Sequence, residues 1–249
     1  MPAPALCLRT AACTEPGART VNEDVLLVHD NGPAWFAVLA DGAGGHADGQ
    51  RAARCAVASL QAGLADATLP WRPETLTGAV LAAHAQVRRD RQGGAPMHTT
   101  VVALCIDLQR GCALWSHVGD SRLYRLRGAR IEQVTRDDTL VQGLLDAGVL
   151  TPEQAGSHPH RHHLAAALGI DEELRPHTTA PQPLADGDAF LLASDGWWAS
   201  AGDALIAASL HAADSPAAWL DAMRAAILAQ EREDQDNFSA VAVWVGNAS

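Results

Sequence analysis

The chain has 249 residues, 48% apolar and 19% charged, which is enough for one large domain with a core that needs no disulfide framework. Its formal net charge is −11 and all 18 basic residues are arginine, a balance that argues against a nucleic-acid backbone as partner. The five cysteines contain no C-x-x-C pair, which excludes the usual zinc frameworks and suits a reducing compartment.

The first eight residues lack the basic stretch and long apolar segment of a secretion signal, and no uncharged apolar run reaches the ~20 residues that span a bilayer. A cytoplasmic protein without a membrane partner is expected. Residues 25–29 and 35–40 are apolar runs separated by Asp30-Asn31-Gly32-Pro33, a hairpin signal. A Gly-rich turn over 41–49 follows, then helical patterns over 50–64 and 73–91, the second opened by Pro73. Residues 99–107, 112–118, 122–126 and 131–134 form a series of short strands joined by turn-like residues, which predicts an antiparallel meander. Helices are predicted over 139–147, from Thr151-Pro152-Glu153, and from Ser215-Pro216 to 231. Buried strands are predicted over 190–193 and 238–245. Trp219, Met223 and Ile227 recur at helical spacing and mark core. Cys55, Cys105 and Cys112 stand in apolar runs and are expected to be buried. Antiparallel strands with segregated helices give an α+β protein in layers.

The acidic residues fall where they cost most. Asp41 ends the run 35–40 and precedes Gly42; Asp195 follows the run 190–194 and precedes Gly196. Asp120 follows a strand and Gly119, and Asp236 precedes Asn237 and the last strand. An ionised carboxylate held against a core costs several kcal/mol unless compensated, and close like charges raise one another's pKa. A divalent cation relieves both, and hard oxygen donors suit Mg²⁺ or Mn²⁺. The bland alternative is that each Asp-Gly is a turn pair. Four such positions at strand ends favour a shared metal centre.

Arg19-Thr20-Val21-Asn22-Glu23-Asp24, Ala40-Asp41-Gly42-Ala43-Gly44-Gly45-His46, Gly119-Asp120-Ser121-Arg122, Ser194-Asp195-Gly196 and Asp236-Asn237 occur in this order. The set, with Thr99-Thr100 and Leu150-Thr151-Pro152-Glu153, resembles the PP2C (PPM) family of metal-dependent serine/threonine phosphatases, bacterial members in particular. The resemblance runs over about residues 9–245. It implies a single domain over 1–249 with a four-layer α-β-β-α sandwich, two central antiparallel β-sheets flanked by helices, and a flap-like segment at about 138–170. It also implies two divalent cations, Mn²⁺ or Mg²⁺. Asp41 would bridge them, the Gly42 carbonyl and Glu23 would serve one, and Asp195 and Asp236 would hold the other. Asp120 matches the aspartate of a third, weaker site, and Arg19 the arginine that grips the substrate phosphate. A phosphorylated protein substrate, an opposing Ser/Thr kinase and a monomer are implied with it.

Several positions stay open. Arg19 taken alone is a surface cation. His46 has the reach and pKa of a general acid, but a structural role in its turn is the commoner reading, and the general acid stays open. His158, His160, His162 and His163 crowd one segment that reads as a flap beside the site or as a metal-binding cluster. Asp138 and His162 depart from the usual flap pattern, and Trp198 fits either packing or a phosphopeptide contact. A catalytically silent phosphoprotein-binding module and an enzyme for small phosphate esters are the competing functional readings.

Overall fold

The computed structural model describes residues 6–43, 47–91, 97–128 and 130–247. The elements in chain order are β1 (Leu6–Glu15), β2 (Asp24–Asn31), β3 (Ala34–Ala43), α1 (Ala47–Ala65), α2 (Pro73–Asp90), β4 (His98–Thr99), β5 (Val101–Asp107), β6 (Cys112–Val118), β7 (Arg122–Arg127) and β8 (Arg130–Gln133). Then come α3 (Leu140–Asp146), α4 (Pro152–Gly156), β9 (His177–Thr178), β10 (Gln182–Pro183), β11 (Ala189–Ala193), α5 (Asp195–Ala212), α6 (Pro216–Leu228) and β12 (Phe238–Asn247). One sheet runs β1-β12-β11-β7-β8 and the other β10-β6-β5-β3-β2, with β4 on β3 and β9 on β6.

The four layers follow from strand alternation. Every side chain of Trp35-Phe36-Ala37-Val38-Leu39-Ala40 is buried, because β3 is covered on both faces. Trp35, Ala37 and Leu39 point between the sheets, where they meet Leu123, Phe190, Leu192, Val241 and Val243 of the opposite sheet. Phe36, Val38 and Ala40 point the other way, against Leu60 and Leu64 of α1 and Leu76, Val80 and Val87 of α2. The outer face of the second sheet is closed by Trp197 and Ile206 of α5 and Trp219, Met223 and Ile227 of α6.

Three sequence expectations need correction, and two elements were missed. Residues 99–134 are not one meander: β5 and β6 pair in one sheet, while β7 crosses to the other and pairs with β11, Arg122 opposite Ala193. Gly119 makes the crossing, with φ +98° and no room for a Cβ, which would lie 2.8 Å from Thr100 Cβ. The first strand of that region is also split at Thr100, since Thr99 pairs with Gly42 while β5 pairs with residues 34–39 of β3. Helix α5 and edge strand β1 were not foreseen. Cys55 and Cys112 are half-buried, and only Cys105 is fully enclosed, none of the five being in a disulfide.

Candidate metal centre

The site collects at one end of both sheets. Asp24 opens β2 and is the register partner of Asp41 near the end of β3, so the two carboxylates are cross-strand neighbours. The Asp41 main chain is clamped from β4 and the residue after it: Asp41 N–H donates to Thr100 Oγ1 (3.0 Å), and Asp41 O accepts from Thr100 N (2.8 Å) and Thr99 Oγ1 (2.9 Å). Thr100 Oγ1 also lies 2.7 Å from Ser121 Oγ, which ties β3 to the crossover that carries Asp120. Asp195 is the first residue of α5, where the positive end of the helix favours an anion. Asp236 stands two residues before β12, next to Asn237.

Asn237 fastens the N-terminal part of the site to the C-terminal part. Its Oδ1 accepts from Glu23 N–H (2.8 Å) and its Nδ2 donates to the carbonyls of Pro16 and Val21 (2.9 and 3.0 Å). Gly17, with φ +59°, lets this loop lie against the Asp236 carbonyl, 2.2 Å from where a Cβ would sit. Arg19 Nη2 then donates to Asp236 Oδ2 at 3.0 Å.

Glu23, Asp41, Asp120, Asp195 and Asp236 line one cavity of about 270 Å³ together with Arg19, Gly42 and His162. Every residue singled out from the sequence for this centre is therefore at the same mouth. Asp24 lies beneath it, buried, with Oδ2 accepting from Ser194 Oγ at 2.9 Å and Oδ1 without a hydrogen-bond partner among the described residues.

The electrostatics are those of like charges in a dry place. Burial pushes Asp41 well above the usual carboxylate range, and Asp24, Asp195, Asp120 and Asp236 push it further. Burial likewise raises Asp24 to about 7, against the opposing hydrogen bonds of Ser239 and Ser194. Asp120 is raised well above its ordinary value by burial and then by Asp195 and Asp137, with Arg122 pulling the other way. Carboxylate oxygens and a glycine carbonyl form a hard donor set, and Asp24 Oδ1 is left without a partner among the described residues. Both features fit divalent cations of the Mg²⁺ or Mn²⁺ kind.

One residue of the centre was not put forward from the sequence, and a second was put forward only as part of a flap or histidine cluster. Asp24 stood inside the Asn22-Glu23-Asp24 run, and only its pairing with Asp41 reveals its place. His162 swings in from the histidine-rich segment: its Nδ1 lies 3.1 Å from Asp195 Oδ2, and Asp120, His162 and Asp195 offer ligand atoms within 4.8 Å of one another. The other three histidines of that segment are not at the mouth; His160 and His163 pack ring to ring at 4.5 Å. Trp198 is half-buried and packs: Arg122 lies 3.4 Å over its ring, and its Nε1 donates to Asp120 O at 2.9 Å. Gly44, Gly45 and His46 lie outside the described residues.

A sandwich of two antiparallel sheets with an acidic mouth at one end defines the metal-dependent phosphatase class. The chain belongs to the Protein phosphatase 2C family, whose model matches residues 17–237. It is 38% identical over 200 residues to the serine/threonine protein phosphatase PstP of Mycobacterium tuberculosis, covering 77% of this chain and 36% of PstP. It is 34% identical over 185 residues to the protein phosphatase PhpP of Streptococcus pneumoniae, covering 72% of this chain and 74% of PhpP. The solved catalytic domain of PstP in complex with two manganese ions superposes with a TM-score of 0.81 at 31% identity, covering 97% of this chain and all of that one. The chain thus spans about a third of the length of full PstP.

Proposed function

We propose that this chain hydrolyses phosphoserine and phosphothreonine in proteins with the help of two divalent cations, Mn²⁺ or Mg²⁺. One observation carries the reading: five acidic side chains from distant parts of the sequence line one small cavity beside Arg19. Asp41, the Gly42 carbonyl and Glu23 would hold one cation, and Asp195 and Asp236 the other with Asp41 shared. Asp120 and Asp195 would serve a third, weaker site. Such ions supply a nucleophilic water near neutral pH and neutralise charge on the phosphoryl oxygens. Arg19 suits the phosphate because its planar fork reaches two oxygens at once, and its tether to Asp236 holds it over the mouth. The names of the relatives and the manganese pair in PstP support the same reading. The segment over 138–170 is read as a flap, since His162 reaches from it to Asp195. The substrates are read as phosphoproteins of a Ser/Thr kinase pathway in the cytoplasm, served by a monomer. Among the described residues no helix is long and apolar enough to cross a membrane.

The test is turnover of a chromogenic phosphate ester and of a phosphothreonine peptide, with Mn²⁺ and with EDTA. Metal-dependent hydrolysis of both is expected. Hydrolysis that survives EDTA would remove the mechanism, and Mn²⁺ binding without hydrolysis would leave a phosphoprotein-binding module.

A further inference from the structure

Outside the acidic mouth, β6 and β9 bring two histidines together. His117 and His177 are register partners and their rings stack at 5.0 Å. Asp138, from the loop before α3, completes the group: one ligand atom from each of the three lies within 4.8 Å of the other two. We propose that His117, Asp138 and His177 form a separate site for one imidazole-preferring divalent ion of the zinc class.

The donor chemistry differs from that of the acidic mouth. Two imidazoles and one carboxylate with an open fourth position suit Zn²⁺ or Co²⁺, whereas all-oxygen sets suit Mg²⁺ and Mn²⁺. The groups that orient these ligands are in place as well. Asp138 Oδ2 accepts from Gly119 N–H at 3.0 Å, which leaves Oδ1 facing His177 Nε2 at 2.9 Å, a contact an ion can take over. His117 Nε2 lies 2.7 Å from the Arg136 carbonyl and 3.3 Å from the Arg136 N–H, and its buried Nδ1 has no partner among the described residues. In the tautomer whose Nε2–H donates to that carbonyl, the shorter of the two contacts, Nδ1 carries the lone pair. Donors around Zn²⁺ stand roughly 3.3 Å apart, given Zn–N bonds of about 2.0–2.1 Å. His177 can close that gap by rotating, because its side chain is 56% exposed, and the same exposure gives the ion a way in.

The experiment uses the full chain, stripped with chelator, held in saturating Mn²⁺ and dialysed against Zn²⁺. The expected result is one fewer zinc ion per chain in His177→Ala than in wild type, with no such loss in Asp41→Asn. Co²⁺ should give a visible absorption band that His177→Ala abolishes and Asp41→Asn retains. His177 sits on an exposed two-residue strand, and Asp138→Asn provides a second variant with the same expected loss of zinc. Equal zinc content in wild type and His177→Ala, or a cobalt band lost only with Asp41→Asn, would overturn the site. Neither readout depends on phosphatase turnover, so failure here and failure of the proposed activity are told apart.

Discussion

Asp188 and Asp41 are both strand-edge aspartates next to glycine in the sequence, yet the fold treats them in opposite ways. Asp188 is 1% exposed and fully compensated: Arg127 clamps it with two bonds of 2.6 and 2.7 Å, and Ala185 N–H adds a third at 2.9 Å. Asp41 and its neighbour Asp24 face other carboxylates instead and are pushed upward in pKa by burial and by those charges. A buried acid that has its own guanidinium is part of the scaffold. A group of buried acids without one is a place built for a cation from outside.

The comparison can be broken most directly at the mouth. Asp41→Asn or Asp195→Asn should lower Mn²⁺-dependent kcat by roughly 10³-fold or more, the scale of losing a main electrostatic stabiliser; near-wild-type turnover would end the reading. Next comes pH. An acid whose folded pKa stands above its unfolded value destabilises the fold as pH rises between the two. For Asp24 that window runs from 3.8 to about 7, so in EDTA the urea midpoint should fall across it, and saturating Mn²⁺ should abolish most of the fall. A flat profile in EDTA would contradict the raised acids. Arg127→Ala tests the other side. Breaking a buried pair costs about 3–5 kcal/mol, and the half-exposed arginine brings the expectation nearer ~2 kcal/mol in denaturant, with kcat unchanged. The smallest effect is that of Trp198→Phe, which loses the bond to the Asp120 carbonyl, about 1 kcal/mol in urea unfolding.

The sequence made the site more legible than the topology. Asp41, Asp120, Asp195 and Asp236 showed themselves because each stands at the border of a buried run, and all of them reach one cavity. Asp24 did not, since its role comes from register with Asp41, a property of strand pairing. His162 showed itself only as one of four histidines in a flap or cluster, because which of them reaches the mouth depends on distant contacts such as Ala165 N–H to Asp138 O at 2.7 Å. Residues 99–134 resembled a meander because a sheet-to-sheet crossing and a hairpin both use Gly and Asp; only the crowding of Gly119 against Thr100 separates them. Helix α5 escaped because Gly202, at φ 67°, interrupts its period, and β1 because it is a half-exposed edge strand with a weak pattern.

The bond between Arg19 and Asp236 joins groups 217 residues apart. During synthesis from the ribosome, a chain that has not yet delivered Asp236 and Asn237 lacks one metal ligand of the proposed centre and the clamp on the Arg19 loop. On the proposed reading, the centre is complete only once β12 lies between β1 and β11, so a nascent or C-terminally trimmed chain is expected to lack hydrolytic competence.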